Sequence, residues 1–324
     1  MVRVTVLVAV YNAERWLQAC LDSLLAQTLE DIQVVCIDDA STDNSLAMLQ
    51  QYALHDPRIE VLHLEENMGQ AHARNVGLSV AKGEFTCMVD ADDWLSPDAL
   101  ELASRAMTDE VDCVLFEVVM SYVKDEHTYA LPAFTRLTGS EAFTLSLDWR
   151  LHGLYMIRTE LHRLHPYDES CRLYSDDNTT RIHYLCSRQV GRCAGRYYYR
   201  QHPASSTHRV SVRRFDYLQA NASMRRQMEE LSVGDELLAE YEQCRWLNLV
   251  DVYMFYHVHG AELTSRERRY GLEQLHHAWA TIDHGVLRPQ TASKLGYRPC
   301  RWWWLFRLQE WVYFSLRSLV GKNK

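Results

Sequence analysis

Three groups of polar and acidic residues stand out by type and spacing: Tyr11 with Asn12, Asp38 with Asp39, and the run Asp90, Ala91, Asp92, Asp93. Carboxylates set this close repel one another, and they repel an anionic ligand unless a cation lies between. Mg²⁺ and Mn²⁺ take oxygen ligands and commonly bridge one or two carboxylates to substrate phosphates. The run Asp90 to Asp93 is therefore a candidate grip on a diphosphate through Mn²⁺ or Mg²⁺. Successive side chains of extended backbone point to opposite sides. Asp92 and Asp93 can thus divide the work between metal and ribose, with Asp90 in support. A structural alternative stands beside this one: aspartates ahead of Pro97 can cap a helix and complement its dipole. Asp39 likewise suits turn chemistry before Ser41, or it can accept a hydrogen bond from a uracil ring.

The elements that must position these groups show as alternating patterns. Val4 to Val10 is a continuous apolar run, as in a strand buried on both faces. Trp16, Leu17, Cys20, Leu21, Leu24 and Leu25 follow at helical spacing. Ile32–Ile37 predicts a second strand and Leu46, Leu49 and Tyr52 the helix after it. Ile59–Leu64 predicts a third strand, and Ala71, Ala73, Val76 and Val80 a helix beginning near Gly69. Phe85–Val89 predicts a fourth strand, Pro97 suits the first turn of another helix, and Val111–Val119 predicts a fifth strand. Strands alternating with helices indicate an α/β fold with a central, mainly parallel sheet. Such sheets bind ligands beyond the carboxyl ends of their strands, and all three polar groups fall there. That coincidence favours one site over three unrelated caps.

Beyond residue 120 the pattern becomes irregular, with possible hairpins and the aromatic run Tyr197, Tyr198, Tyr199. Past residue 212 it is helical. These shifts divide the chain at 1–120, 121–211 and 212–324. The formal charge of −9 over 324 residues argues against a nucleic-acid partner, which requires a dominant basic surface. Nine scattered cysteines without a C-x-x-C pair fit reduced thiols in a cytoplasmic protein. The first ten residues lack the form of a secretory signal, and no apolar run is long enough to span a bilayer. The stretch 301–324 interleaves Trp302, Trp303, Trp304, Phe306 and Trp311 with Arg301, Arg307 and Arg317. It reads equally as a peripheral membrane helix and as a helix packed on the protein or on a homodimer partner.

Four ordered segments carry a resemblance: VLVAVYN at 6–12, CIDDASTDNS at 36–45, NMGQAHARNVGL at 67–78 and GEFTCMVDADD at 83–93. Over roughly residues 3–120 the chain resembles the family-2 glycosyltransferases of the GT-A fold, of the bacterial polysaccharide type. The family commonly has Pro where Ala9 stands, a change that removes no chemical group. The resemblance implies inverting transfer from a nucleoside-diphosphate sugar, often a UDP-sugar, to a glycan or lipid-linked acceptor. By the same matching, Ala9, Tyr11, Asp39 and Arg74 join Asp90, Asp92 and Asp93 around the donor, with Asp92 and Asp93 at the metal. An arginine beside a diphosphate offers strong charge-assisted bonds, although Arg74 also reads as a solvated helix residue.

Inversion in one displacement needs a general base, which the family usually supplies from a Glu-Asp pair. Asp176 and Asp177 in Ser175-Asp176-Asp177 match that pair, with Asp in place of Glu and Asp177 the favoured base; a helix cap is the structural alternative. The segment Tyr199-Arg200-Gln201-His202-Pro203-Ala204-Ser205-Ser206 resembles the family's stretch after the base, and His202 could approach the diphosphate. Two other readings remain: a nucleotide-sugar-binding protein without catalysis, and a nucleotidyltransferase. The latter lacks its glycine-rich phosphate loop in this chain, since residues 9–13 contain no glycine.

Overall fold

The computed structural model describes residues 1–170, 174–202 and 211–321. The chain divides into two compact units, Met1–Ser206 and Thr207–Lys324.

The first unit opens with β1 (Val4–Val10), α1 (Leu17–Leu25), β2 (Ile32–Asp38), α2 (Ser45–His55), β3 (Ile59–His63), α3 (Gln70–Ser79) and β4 (Phe85–Met88). It continues through β5 (Trp94–Leu95), α4 (Ala99–Ala106), β6 (Cys113–Ser121), β7 (Glu126–Thr128), β8 (Arg136–Thr138) and α5 (Gly139–Ser146). It closes with β9 (Tyr155–Arg158), α6 (Thr159–Leu164), α7 (Ser175–Cys186) and β10 (Gln189–Arg200). One sheet runs in the order β3-β2-β1-β4-β9-β6-β10-β5, with β7 on β6 and β8 on β10. Strands β1 to β4 pair in parallel, as do β6 and β10, and β9 lies antiparallel between β4 and β6. The sheet is thus mainly parallel, as expected, but one reversed strand separates the fourth and fifth predicted strands. Local periodicity could not locate it: Tyr155–Arg158 joins its neighbours only across long stretches of chain. The stretches before and after residue 120 share this one sheet.

Side-chain alternation assigns the helices to faces. Val4, Val6, Val8 and Val10 pack with Leu17, Leu21 and Leu24 of α1, Leu49 of α2 and Leu100 of α4. Leu7, Val35 and Ile37 point the other way and meet Ala71, Ala73 and Leu78 of α3. Farther along, Cys113, Leu115, Tyr155 and Ile157 pack on Ala142 of α5 and Tyr184 of α7. Burying strands on both faces explains why their sequences are continuously apolar.

The second unit is helical: α8 (Asp216–Glu230), α9 (Asp235–His259), α10 (Ser265–Thr281), the short α11 (Pro289–Ala292) and α12 (Trp303–Leu319). Trp246 and Tyr253 of α9 pack with Phe306 of α12, and Tyr253 also stacks with Phe314. A reciprocal Thr264–Glu267 capping box starts α10. No helix among the described residues is long and apolar enough to cross a membrane.

Candidate active site

Parallel pairing aligns the ends of β1, β2 and β4. Val10 stands opposite Asp38, the Asp39 N–H donates to Val10 O at 2.8 Å, and the Val89 N–H donates to Leu7 O at 3.0 Å. The three polar groups therefore meet at one edge. Ala9 lies within β1 opposite Ile37, and Tyr11 just beyond it is exposed. Asn12, with φ of 52°, turns its Oδ1 to accept from the Thr42 N–H at 2.8 Å, which ties the first two strand ends together.

Asp39 is buried, and its carboxylate is already engaged. Oδ1 accepts from the Met68 N–H at 2.8 Å and Oδ2 from the Gly69 N–H at 2.9 Å. Gly69 has φ of 95°, a conformation that costs glycine least, and it delivers the chain into α3. Asp39 thus shapes the loop that starts the helix carrying Arg74. It does not bond to Ser41 in the way a local turn would; the adjacent Asp38 does, at 3.2 Å.

The three aspartates after β4 occupy three environments. No helix begins at them: β5 follows directly, and α4 starts only at Ala99, so they are not helix caps. Asp90 Oδ1 accepts from Arg74 Nη2 at 2.6 Å and from Gln70 Nε2 at 3.0 Å. Arg74 is not a solvated residue; it is buried, with its guanidinium over the Tyr167 ring at 5.3 Å. Asp93 is fully buried, and Tyr197 Oη donates to its Oδ2 at 2.8 Å while the Arg200 N–H donates to Oδ1 at 2.7 Å. The Asp90 N–H in turn donates to Tyr197 Oη at 3.0 Å. Burial, then the charges of Asp90 and Asp92, raises the Asp93 carboxyl well above the usual range. Burial is also the first cause holding Asp90 above its ordinary value, opposed by Arg74.

Asp92 has the most open side chain of the three, at 35% exposure against 26% for Asp90, with Oδ2 lying 2.9 Å from Nε2 of His202. His202 stacks on Trp16, and the Arg200 guanidinium lies between the Trp16 and Trp94 rings at 4.7 and 4.4 Å. The sequence placed both Asp92 and Asp93 at a metal, with the work divided between metal and ribose; the structure leaves Asp92 part-exposed and buries Asp93 against Tyr197 and the Arg200 amide. Tyr197 is the member of this cluster not foreseen from sequence. Its signal was the aromatic run Tyr197 to Tyr199, which β10 presents to the acidic loop through a register shift between Arg192 and Arg196. Pro203 to Ser206 lie outside the described residues.

Asp176 and Asp177 open α7, after Tyr174 with φ of 67°. The helix is anchored through His183, whose Nδ1 lies 2.6 Å from Tyr155 Oη and whose Nε2 lies 2.7 Å from His165 O. It is also tied to α3. Asn75 exchanges hydrogen bonds with the Tyr167 backbone, Glu169 meets both His72 and Asn75, and Asp168 accepts from Asn178 Nδ2 at 2.8 Å. The charge of Asp176 is accordingly felt at both Asp90 and Arg74. Burial, then Asp176, pushes Asp177 from 3.8 up to about 7, with Arg181 pulling the other way. A carboxylate serving only as a helix cap is stabilised in its charged form. Asp177 departs in the opposite direction, towards the range suited to a general base.

The donor set suits Mg²⁺ or Mn²⁺ in a particular sense. Among the described residues no group of three or more His, Cys, Asp or Glu side chains could form an all-protein cage. These ions are ordinarily held by one or two carboxylates plus substrate phosphates and water. A part-exposed Asp92 beside a cluster of carboxylates that burial and mutual repulsion hold above their ordinary range is compatible with that arrangement.

Residues 5–179 match the family model described as glycosyl transferase family 2. The chain belongs to this family. The glycosyltransferase EpsH of Bacillus subtilis is 42% identical over 112 residues, covering 35% of this chain and 32% of that protein. EpsJ of the same organism is 30% identical over 224 residues, covering 63% of this chain and 62% of EpsJ. The match thus spans less than two thirds of either relative. Among solved structures, S. aureus TarS 1–349 in complex with UDP-GlcNAc aligns with a TM-score of 0.73 and 20% identity, over 99% of this chain and 92% of that one. A mannosyltransferase from Pyrobaculum calidifontis in complex with GDP-Man and Mn²⁺ aligns with a TM-score of 0.55 and 18% identity, over 99% and 88%. The family-2 chain has the GT-A fold, with its helical unit following the sheet.

Proposed function

We propose that this family-2 chain is an inverting glycosyltransferase that moves a sugar from a nucleoside-diphosphate donor, a UDP-sugar first among them, to a hydroxyl of a glycan or lipid-linked acceptor. Cell-surface polysaccharide synthesis in the cytoplasm, with a peripheral membrane contact through 301–324, is the setting the proposal carries. One observation supports it most: a part-exposed Asp92 at the β4 end shares a field of charges with Asp176, next to an Asp177 carboxyl tuned to about 7. The UDP-GlcNAc carried by TarS and the GDP-Man and Mn²⁺ carried by the archaeal enzyme support the donor class and the ion.

In this mechanism Asp92 would hold Mn²⁺ or Mg²⁺ together with the donor diphosphate, and the ion, when bound, would offset charge developing on the leaving group. Asp177 takes the proton of the acceptor hydroxyl on a carboxylate oxygen. The acceptor oxygen forms its bond to the anomeric carbon as the bond to the diphosphate breaks, and the electron pair leaves with the diphosphate. Asp176 keeps the proton affinity of Asp177 high. Arg74 neutralises Asp90 from inside the fold, and Tyr197 with the Arg200 amide fixes Asp93, so the loop is rigid before donor arrives. Asp39 supports the start of α3 and with it Arg74; contact with the base ring stays part of the proposal, together with Ala9 and Tyr11.

The test is calorimetry with UDP-, GDP- and dTDP-sugars with and without Mn²⁺, followed by nucleoside-diphosphate release. Metal-dependent binding and release are expected for one base. Binding without release, for any acceptor class offered, would instead favour a nucleotide-sugar-binding protein, and no binding at all would remove the donor assignment.

A further inference from the structure

We infer that α12 is a membrane-surface helix whose outward face docks on an anionic lipid bilayer. The helix has two opposed faces. Phe306, Glu310 and Phe314 are buried and join the core of the second unit. Trp304, Leu308, Trp311, Val312 and Leu319 recur at intervals of three, four and seven residues on the other side, and all are exposed: Trp304 at 62%, Trp311 at 60% and Leu319 at 83%. A single exposed leucine is ordinary, but a row of large apolar side chains along one helix marks an interaction surface.

The charge around this face selects the occupant. From Arg298 to Arg317 the sequence holds four arginines against one acidic residue, in a chain of net charge −9. The lone acid is Glu310, which points into the protein, so no acid of α12 itself faces outwards. Arg301 and Arg307 are exposed, and Arg301 sits over the Trp302 ring at 5.6 Å. Tryptophans flanked by arginines suit headgroup depth on an anionic leaflet. With 17 residues and charges within it, α12 lies on a bilayer and does not cross one. A second copy of the chain is a poorer fit: a face about 25 Å long and about 10 Å wide offers roughly 250 Å² per partner, against about 800 Å² for a stable pair.

The inference stands on the second unit alone and is independent of the transfer reaction. Deleting 301–324 would be a poor test, because it strips Phe306 and Phe314 from the core. The whole 324-residue chain is instead floated with vesicles of phosphatidylcholine and with vesicles of phosphatidylcholine and phosphatidylglycerol. Binding is expected to the second and weakly or not at all to the first. Trp304→Ser with Trp311→Ser should lower partition by about tenfold or more, and each of Arg301→Gln and Arg307→Gln by roughly fivefold. Melting temperatures should stay unchanged, since these side chains are exposed. The inference is overturned by equal partition of wild type and variants, by absence of binding to anionic vesicles, or by self-association that the tryptophan substitutions abolish while no vesicle binding occurs.

Discussion

Replacing Asp177 by Asn tests the proposed base directly. Asp177 rises from 3.8 to about 7, which corresponds to a penalty of roughly 4 kcal/mol on its charged form. That penalty makes the carboxylate basic enough to accept a hydroxyl proton near neutrality. The base works only when ionised, so the rate should climb with pH and level off above about 7; at about pH 6 roughly a tenth of the sites would be competent. Asp177→Asn should lower turnover by about 10²–10⁴-fold and flatten this limb. Donor affinity should hold, because Asp177 is not among the donor-side groups. Asp176→Asn removes the charge that helps raise Asp177, so it should move the limb towards acid and leave some turnover. Stability supplies the control for misfolding. A carboxyl raised in the native state contributes stability below its unfolded value of 3.8 that is lost as pH rises through about 7. At about pH 8 the Asn variant should therefore melt no lower than the wild type. The assay is nucleoside-diphosphate release across about pH 5–9, with calorimetry of nucleotide binding. Near-normal turnover in Asp177→Asn, or a pH profile of unchanged shape, would refute the assignment.

Asp92→Ala should abolish the Mn²⁺ dependence of donor binding in calorimetry, and wild-type protein should take Mn²⁺ far more tightly with nucleotide than without; unchanged affinity in the variant counts against Asp92. Asp39→Asn faces one of the Met68 and Gly69 amides with an NH₂ group, so it should cost about 1.5–3 kcal/mol in denaturant unfolding, the scale of a lost charged hydrogen bond. A smaller loss would mean that the loop repacks. Burial pushes Glu310 from 4.5 to about 8, and its Oε2 has no hydrogen-bond partner. The wild type should therefore lose stability as pH rises between these values, and Glu310→Gln should gain on the order of a few kcal/mol at about pH 9 and nothing at about pH 4. Equal melting of the two proteins at both pH values would place that carboxyl in water.

The meeting of the three polar groups at one sheet edge was legible because its information is local. Each parallel strand is a short apolar run, each polar group directly follows one, and strand-end alignment does the rest. Arg74 was legible only through the spacing of the segment 67–78; its burial against Tyr167 depends on residues some 90 positions away. The reversed strand Tyr155–Arg158 was hidden for the same reason, since four residues of mixed character announce no partner. The value of Asp177 was hidden as well, because desolvation is set by packing around α7 and not by the identity of its neighbours in sequence.

The acidic run makes the division between local and distant information concrete. As a string, Asp90, Asp92 and Asp93 are three equivalent carboxylates. In the fold, α3 supplies Arg74 to the first, β10 supplies Tyr197 and the Arg200 amide to the third, and the second is left the most exposed, at 35% against 26% for the first. Removing three charges from water would be costly without those partners. The Arg74 and Gln70 bonds both land on Oδ1 of Asp90, whereas Tyr197 and the Arg200 amide engage both oxygens of Asp93, so Asp93 is the most fully occupied of the three and Asp92 the most exposed. An ion held at such a site must complete its coordination with water and with the oxygens of its substrate. Under the proposed mechanism metal and donor would then arrive as one unit, and the chain's own contribution would be less a metal cage than an edge on which a metal–diphosphate pair could be received.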